Sequence, residues 1–468
     1  MSNPTLTRQL TELIMAKPIT AADRQHAALL TLDALANSLA GRASEPGAIL
    51  LRWAVATGRN DAEHQAFLRG ALTHILETDD LHRASVTHPG CVVVPAAWAV
   101  AARTGQRGQA LLRAILWGFE AMTRIGMAVG PTHYRIWHNT ATCGPYGSAL
   151  AVAALRHLDA PTTVHALGNA GTQSSGLWQF LDTGAMTKHL HAGRAAAAGV
   201  LAADLAQVGF TGPPAILEGA KGWFAATCPD ADPGAVTRNP DDLWQLRQTS
   251  IKPWPSCRHT HPVIDAAHEL RGIPTDQIAQ VEVITYPTAL EVCDRPLPHS
   301  DYEAKFSLQH AVAAALGLDQ VDFSAFTAPA RLALAALRER IRVRAAEPYA
   351  SAYPHAWGGE VTVTLRNGES RTARRTHAKG DPEVALSPDE LIAKARMLMS
   401  YGGVEAPDRL IDAILALADD AALPELPAIA IPAAPDSTGA SAESHRAIGR
   451  LPQTPDHGRG GASPVQVA

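Results

Sequence analysis

From about residue 5 to residue 250, apolar side chains return every three or four positions, which commits this half of the chain to helices with one buried stripe each. The stretch 21–39 shows the pattern with Ala28, Leu29, Leu32, Leu35 and Leu39. It recurs over 61–76, 108–129, 144–157, 162–174, 186–208 and 241–248, with Gly, Pro, Asn or Asp at the breaks. These tracts are rich in alanine and aromatic residues are only 5% of the chain. Such helices approach one another closely through small side chains.

The period changes after Cys257. Segment 277–286 alternates at Val281, Val283 and Thr285, as a half-buried strand does. Segment 359–376 has two alternating arms around Asn367-Gly368, which predicts a hairpin with a type I′ turn. Helical patterns at 307–316 and 329–338 and a β-prone 341–344 lie between them, and helix returns over 392–399 and 408–417. The expected class is mainly α. A large helical domain is built from residues 1–256 and 389–426, an α+β lid domain is inserted at 257–388, and a Pro/Ala/Ser/Gly-rich tail at 427–468 is disordered.

Composition narrows the function classes. Forty basic against forty-five acidic residues leave no excess to hold a phosphate backbone, so nucleic acid is not the expected partner. No apolar run reaches membrane-spanning length, and the first twenty residues lack a signal-peptide pattern, so the expected location is cytoplasmic. The five cysteines are odd in number, scattered and without CxxC, which argues against a disulfide scaffold, a zinc ribbon or an iron–sulfur cluster.

Four polar segments could carry chemistry. Segment 77–90, ETDDLHRASVTHPG, gathers Asp79, Asp80, His82, Arg83 and His88, a set able to bind a carboxylate and hold a general acid or base. Segment 134–147, YRIWHNTATCGPYG, brings Arg135, His138 and Tyr146 to a helix start. In TKHLHAGR, Lys188 suits an anion clamp or a proton donor, with His191 on the same helical face. IKPWPSCRHTHPVID crowds Lys252, Cys257, Arg258, His259 and His261 where the two patterns meet, a usual place for a cleft. His259-x-His261 lacks a third ligand at zinc spacing, and nothing near Cys257 marks an activated thiolate, so neither a metal nor any other cofactor is expected. Walker, dinucleotide-binding and nucleophile-elbow motifs are absent.

These runs, in this order over residues 8–420 and joined by EAKFSLQHAVAAAL and KGDPEVALS, resemble the MmgE/PrpD family. The family includes 2-methylcitrate dehydratases, cis-aconitate decarboxylase and iminodisuccinate epimerase. The resemblance implies a homodimer with a metal-free site between a helical domain and a lid. It also implies site roles for Asp79, Asp80, His88, His138, Lys188, Lys252 and Cys257. The chain departs from the family pattern in Glu77-Thr78 before the Asp pair, in Leu81 for Thr, in Tyr146 for Phe, and in Cys257 where the decarboxylase has His.

The expected chemistry is a metal-independent hydro-lyase of the 2-methylcitrate dehydratase kind, abstracting an α-proton from a small di- or tricarboxylate. His88, His138, Lys188, Tyr146 and Asp80 are the catalytic candidates. Asp79, His82, Arg83, Lys252, Cys257, Arg258 and His259 are the substrate-binding candidates. One alternative is an epimerase of a small dicarboxylate such as iminodisuccinate, using Lys188 and Tyr146 as opposed acid–base groups. Another is a cis-aconitate-type decarboxylase, against which Cys257 weighs.

Overall fold

Small side chains and capping residues set the helices where the periodicity places them. In the computed structural model, which describes residues 4–427, the first ten are α1 (Leu6–Ala16), α2 (Ala21–Gly41), α3 (Glu45–Thr57), α4 (Ala62–His74), α5 (Gly90–Arg103), α6 (Gly108–Ala128), α7 (Gly130–Ile136), α8 (Asn139–Leu155), α9 (Ala160–Gly171) and α10 (Thr187–Gln207). Thr20 and Asp23 form a reciprocal capping box at the start of α2. Helix α8 is buried at every position and packs against α5, α6, α9 and α10, so it is the axis of the helical core. Its crossing with α6 requires glycine: a Cβ on Gly147 would stand 2.8 Å from the Gly118 carbonyl oxygen, and one on Gly118 would stand 2.7 Å from that of Gly147.

Two sequence expectations shift here. Helix α8 begins at Asn139 rather than 144, with Pro145 inside it. The Gly and Pro that hide its start are the small residues its crowded surroundings need. Segment 241–248 is a loop ending in a 3₁₀ turn at Gln245–Gln248, because Glu120 takes the Gln245 N–H (2.7 Å) and Pro18 accepts from the Trp244 indole (3.0 Å). Those distant anchors override a weak local pattern.

Strands β1 (Leu81–His82) and β2 (Thr249–Ser250) form a two-residue antiparallel ladder, Leu81 opposite Ser250 and His82 opposite Thr249. Past it come helix α11 (His261–Glu269), strand β3 (Ile278–Thr285), helices α12 (Pro287–Cys293) and α13 (Leu308–Gly317), and strands β4 (Ile341–Ala345), β5 (Gly359–Leu365) and β6 (Ser370–Arg375). The sheet order is β4-β3-β5-β6, with β3 parallel to β4 and antiparallel to β5. The hairpin joining β5 and β6 departs from the type I′ expectation. Gly368 alone has positive φ (90°), and Leu365 N–H bonds to the Glu369 carbonyl (2.8 Å), which is the three-residue turn with a left-handed glycine. Val281, Val283, Val361 and Val363 share a second core with Val263, Ala311 and Val312, separate from the helical one.

Helices α14 (Pro388–Tyr401) and α15 (Pro407–Leu415) then return to pack on α2. The molecule is therefore mainly helical, both ends of the described chain building the helical core and an α+β insertion carrying the second. The tail expected to be disordered lies, beyond Pro427, outside the described residues. Among the described residues no helix is long and apolar enough to cross a membrane.

Candidate active site

The β1–β2 ladder does for the site what no single segment could. It ties the loop after α4 to the segment entering the α+β insertion, so residues 77–88 meet Lys252, Cys257, Arg258 and His259. His138 is the N-cap of helix α8, and its N–H bonds to the Gly176 carbonyl (3.0 Å), which brings Trp178 alongside. Lys188 projects from the first turn of α10, which packs on α4 and α8. The result is a cavity of about 460 Å³ whose polar lining includes Glu77, His88, His138, Lys188, Lys252 and Cys257.

Buried charges form the floor of this cavity. Lys188 Nζ donates to Glu77 Oε1, while Lys252 Nζ lies 3.5 Å from Glu77 Oε2 and 3.6 Å from Asp79 Oδ1. Burial alone would push the Glu77 carboxyl up, but Lys188 and Lys252 outweigh it and hold Glu77 below the usual carboxylate range. The same pairing outweighs burial at Lys188 and keeps its ammonium charged. His74 Nδ1–H donates to Asp79 Oδ2 (2.6 Å), and His88 Nδ1–H donates to the Asp80 carbonyl (2.5 Å). The second bond fixes the His88 tautomer with the Nε2 lone pair free. Burial drives His88 and His138 far below the ordinary imidazole value, so both are neutral at pH 7.

Three lysines from distant parts of the chain clasp three consecutive carbonyls of the loop. Lys305 holds Leu76 O (3.0 Å), Lys252 holds Glu77 O (3.2 Å), and Lys394 holds Thr78 O (2.7 Å). The clasped Glu77 is left-handed (φ 61°), as is Val86 (φ 50°) at the other end of the loop, and both line the cavity. Non-glycine residues in this region cost about 1–3 kcal/mol each and persist only where the surroundings hold them.

Seven of the twelve candidate residues line the cavity: His88, His138, Lys188, Lys252, Cys257, Arg258 and His259. Asp79 lies beneath them, bonded to His74 and 3.4 Å from His88 Nδ1. Four others lie elsewhere. Asp80 accepts the Gly90 N–H (3.0 and 3.1 Å) and caps α5. His82 is fully buried, with Nδ1 at 2.9 Å from Ser85 Oγ. Arg83 points to the far side of the junction, bonding Glu383 (2.6 Å) and His377 (3.3 Å). Tyr146 is sealed in the helical core against Trp223, its hydroxyl unpartnered, so it does not share a cavity with Lys188.

Sequence reasoning treated Glu77 only as a departure from a pattern, yet it is the anion around which both lysines gather. It also passed over His74, Tyr134, Trp178, Phe306, Tyr353 and Trp357. His74 contacts both cavity imidazoles, its ring 4.8 Å from that of His88 and 5.6 Å from that of His138. Its signal was a histidine on the apolar face of α4, three residues before Glu77, where the acidic run begins.

Among the described residues, two groups have spacing that could hold a metal ion: His74, Asp79 and Cys91, and His377, Asp381 and Glu383. In the first, burial pushes the Cys91 thiol well up, which disfavours the thiolate a metal needs. In the second, the guanidinium groups of Arg83 and Arg258 already face the carboxylates. His259 and His261 turn to different partners, Tyr286 OH (2.7 Å) and the Arg258 guanidinium (2.9 Å).

Comparison with known proteins places both halves of the chain in one family. Residues 8–235 match the MmgE/PrpD N-terminal domain, and residues 254–419 match the MmgE/PrpD C-terminal domain. The chain is 27% identical to human (Homo sapiens) cis-aconitate decarboxylase over 78% of its own length and 79% of that protein. It is 26% identical to the Mus musculus enzyme of the same name, over 71% of each chain. To the cis-aconitate decarboxylase-like protein oryM of Aspergillus oryzae it is 27% identical, over 78% of this chain and 81% of that one. With both halves matched and the segments that line the cavity drawn from both, the chain is an enzyme of the MmgE/PrpD family.

Proposed function

We propose that the protein is a lyase that decarboxylates a small unsaturated carboxylate. The observation that carries this is the meeting of two ammonium groups, Lys188 and Lys252, with two neutral imidazoles, His88 and His138, in one cavity. The relatives named as cis-aconitate decarboxylases support the choice among carboxylate reactions.

In this reading the lysines hold the carboxylate that stays. The bond to the departing carboxylate breaks, CO₂ leaves, and the electron pair passes into the conjugated system ending at the retained carboxylate. Fixed cations in a water-poor site stabilise that charge by several kcal/mol. A proton must then be added to carbon. An incoming carboxylate raises the proton affinity of His88, so binding draws in the proton that Nε2 delivers. Each CO₂ released consumes that one proton, and the imidazole regains it from solvent.

Dehydration is the second reading, because Cys257 (where the decarboxylase resemblance has His) lines the cavity. There a neutral imidazole acts as base. The two readings give different pH profiles. If His88 must be protonated while its free-enzyme pKa lies well below 6.5, kcat/KM falls about tenfold per pH unit between roughly pH 6 and 8. A neutral base instead gives a flat profile over that range. A panel of unsaturated mono-, di- and tricarboxylates, assayed for CO₂ across these pH values, tests the proposal. CO₂ release with the falling profile is expected. Water loss or gain without CO₂, on a flat profile, would move the assignment to the hydro-lyase.

A further inference from the structure

The charges around the cavity balance almost completely. Lys188 and Lys252 are shared with Glu77 and Asp79, and Arg258 is paired with Asp381 while also bonding the Lys379 carbonyl (3.2 Å). Arg135 at the exposed edge makes no ion pair among the described residues, but Glu291 also lines the cavity. Lys305 clasps the Leu76 carbonyl behind the lining (3.0 Å), and the cavity imidazoles are held neutral by burial in the free site, a bound carboxylate drawing a single proton onto His88. Three carboxylates brought into such a site would lack counter-charges, and an uncompensated buried carboxylate is costly.

Apart from Thr288, the rest of the lining is aromatic or aliphatic. Tyr134 and Trp178 pack edge to face (5.5 Å) on the helical side, and Trp178 reaches the His138 ring (4.7 Å). Across the cavity Tyr353 and Trp357 lie 5.5 Å apart, Trp357 stacks on His259 (4.6 Å), and Phe306 lies under the Lys188 ammonium (5.5 Å). Tyr134, Trp178 and Tyr353 line the cavity and are only half-buried. The indole N–H of Trp178 has no hydrogen-bond partner although it is buried. A tricarboxylate the size of cis-aconitate occupies about 200 Å³, some seven water volumes, less than half of the 460 Å³ available.

We propose that the substrate carries fewer carboxylates than cis-aconitate and an apolar branch in their place: a mono- or dicarboxylate with an alkyl or aryl substituent lying between the aromatic rings of the two walls. This rests on the carboxylate reading above and narrows it. The lysines of the floor take the retained carboxylate, and the rings exclude water from the branch.

Calorimetric titration of the full chain with succinate, 2-methylsuccinate, 2-butylsuccinate, 2-phenylsuccinate and tricarballylate tests it. Affinity should rise about fourfold per added methylene, and tricarballylate should bind more weakly than 2-butylsuccinate. Trp178→Ala should flatten the rise along the series. A series flat or falling in the wild type, with tricarballylate tightest, would overturn the inference while leaving the carboxylate site intact. No binding by any member, succinate included, would overturn the carboxylate reading and this inference with it.

Discussion

Lys188→Met is expected to lower kcat/KM by about 10²–10³-fold, the usual cost of removing one fixed group that stabilises developing negative charge. It should also destabilise the fold, because Glu77 loses its direct partner while remaining buried. Removing one member of a buried ion pair costs roughly 3–5 kcal/mol, moderated here by Lys252 at 3.5 Å. Pairing it with Glu77→Gln separates the two effects. The double variant should recover most of the lost stability, read by thermal or urea unfolding, and none of the activity. The comparison belongs at neutral pH. The Glu77 pKa is depressed in the folded state, so the ion pair contributes fully above the ordinary carboxylate value and its contribution fades only as the pH falls below it. Recovery of activity in the double variant would show that Lys188 serves only to neutralise Glu77.

His88→Gln should reduce kcat by about 10²–10⁴-fold with a much smaller change in KM. Glutamine keeps a polar group near the Asp80 carbonyl, yet it has no proton to exchange at neutral pH. The falling pH profile of kcat/KM should disappear with the imidazole. A variant that keeps both near-normal kcat and the pH dependence would move the acid to His138, which lines the same cavity.

The sequence made the polar clusters legible because each is contiguous, and the change from helical to strand period placed the fourth at the seam between the two cores. Which members of a cluster face the substrate depends on geometry that no run of letters encodes. Asp79 and Asp80 are adjacent, but one supports the imidazoles and the other caps α5. His138 and Tyr146 belong to one motif, but eight residues of helix carry Tyr146 about 12 Å along the axis and into the core. Glu77 was hidden for a different reason. Its place in the site requires a left-handed backbone held by lysines at 252, 305 and 394, and no local pattern could report contacts made over such separations. The aromatic wall was equally silent, since its rings come from helix α7 and from separate turns and loops on both sides of the cavity.

Turnover in D₂O, followed by NMR of both product and recovered substrate, tests the central claim most directly. A site that expels CO₂ and then protonates carbon from a fixed imidazole should place one deuterium, on one face, in each product molecule. The recovered substrate should contain none. Deuterium washing into unreacted substrate without CO₂ release would mean that the site abstracts an α-proton, as a hydro-lyase or an epimerase does, and would contradict the account.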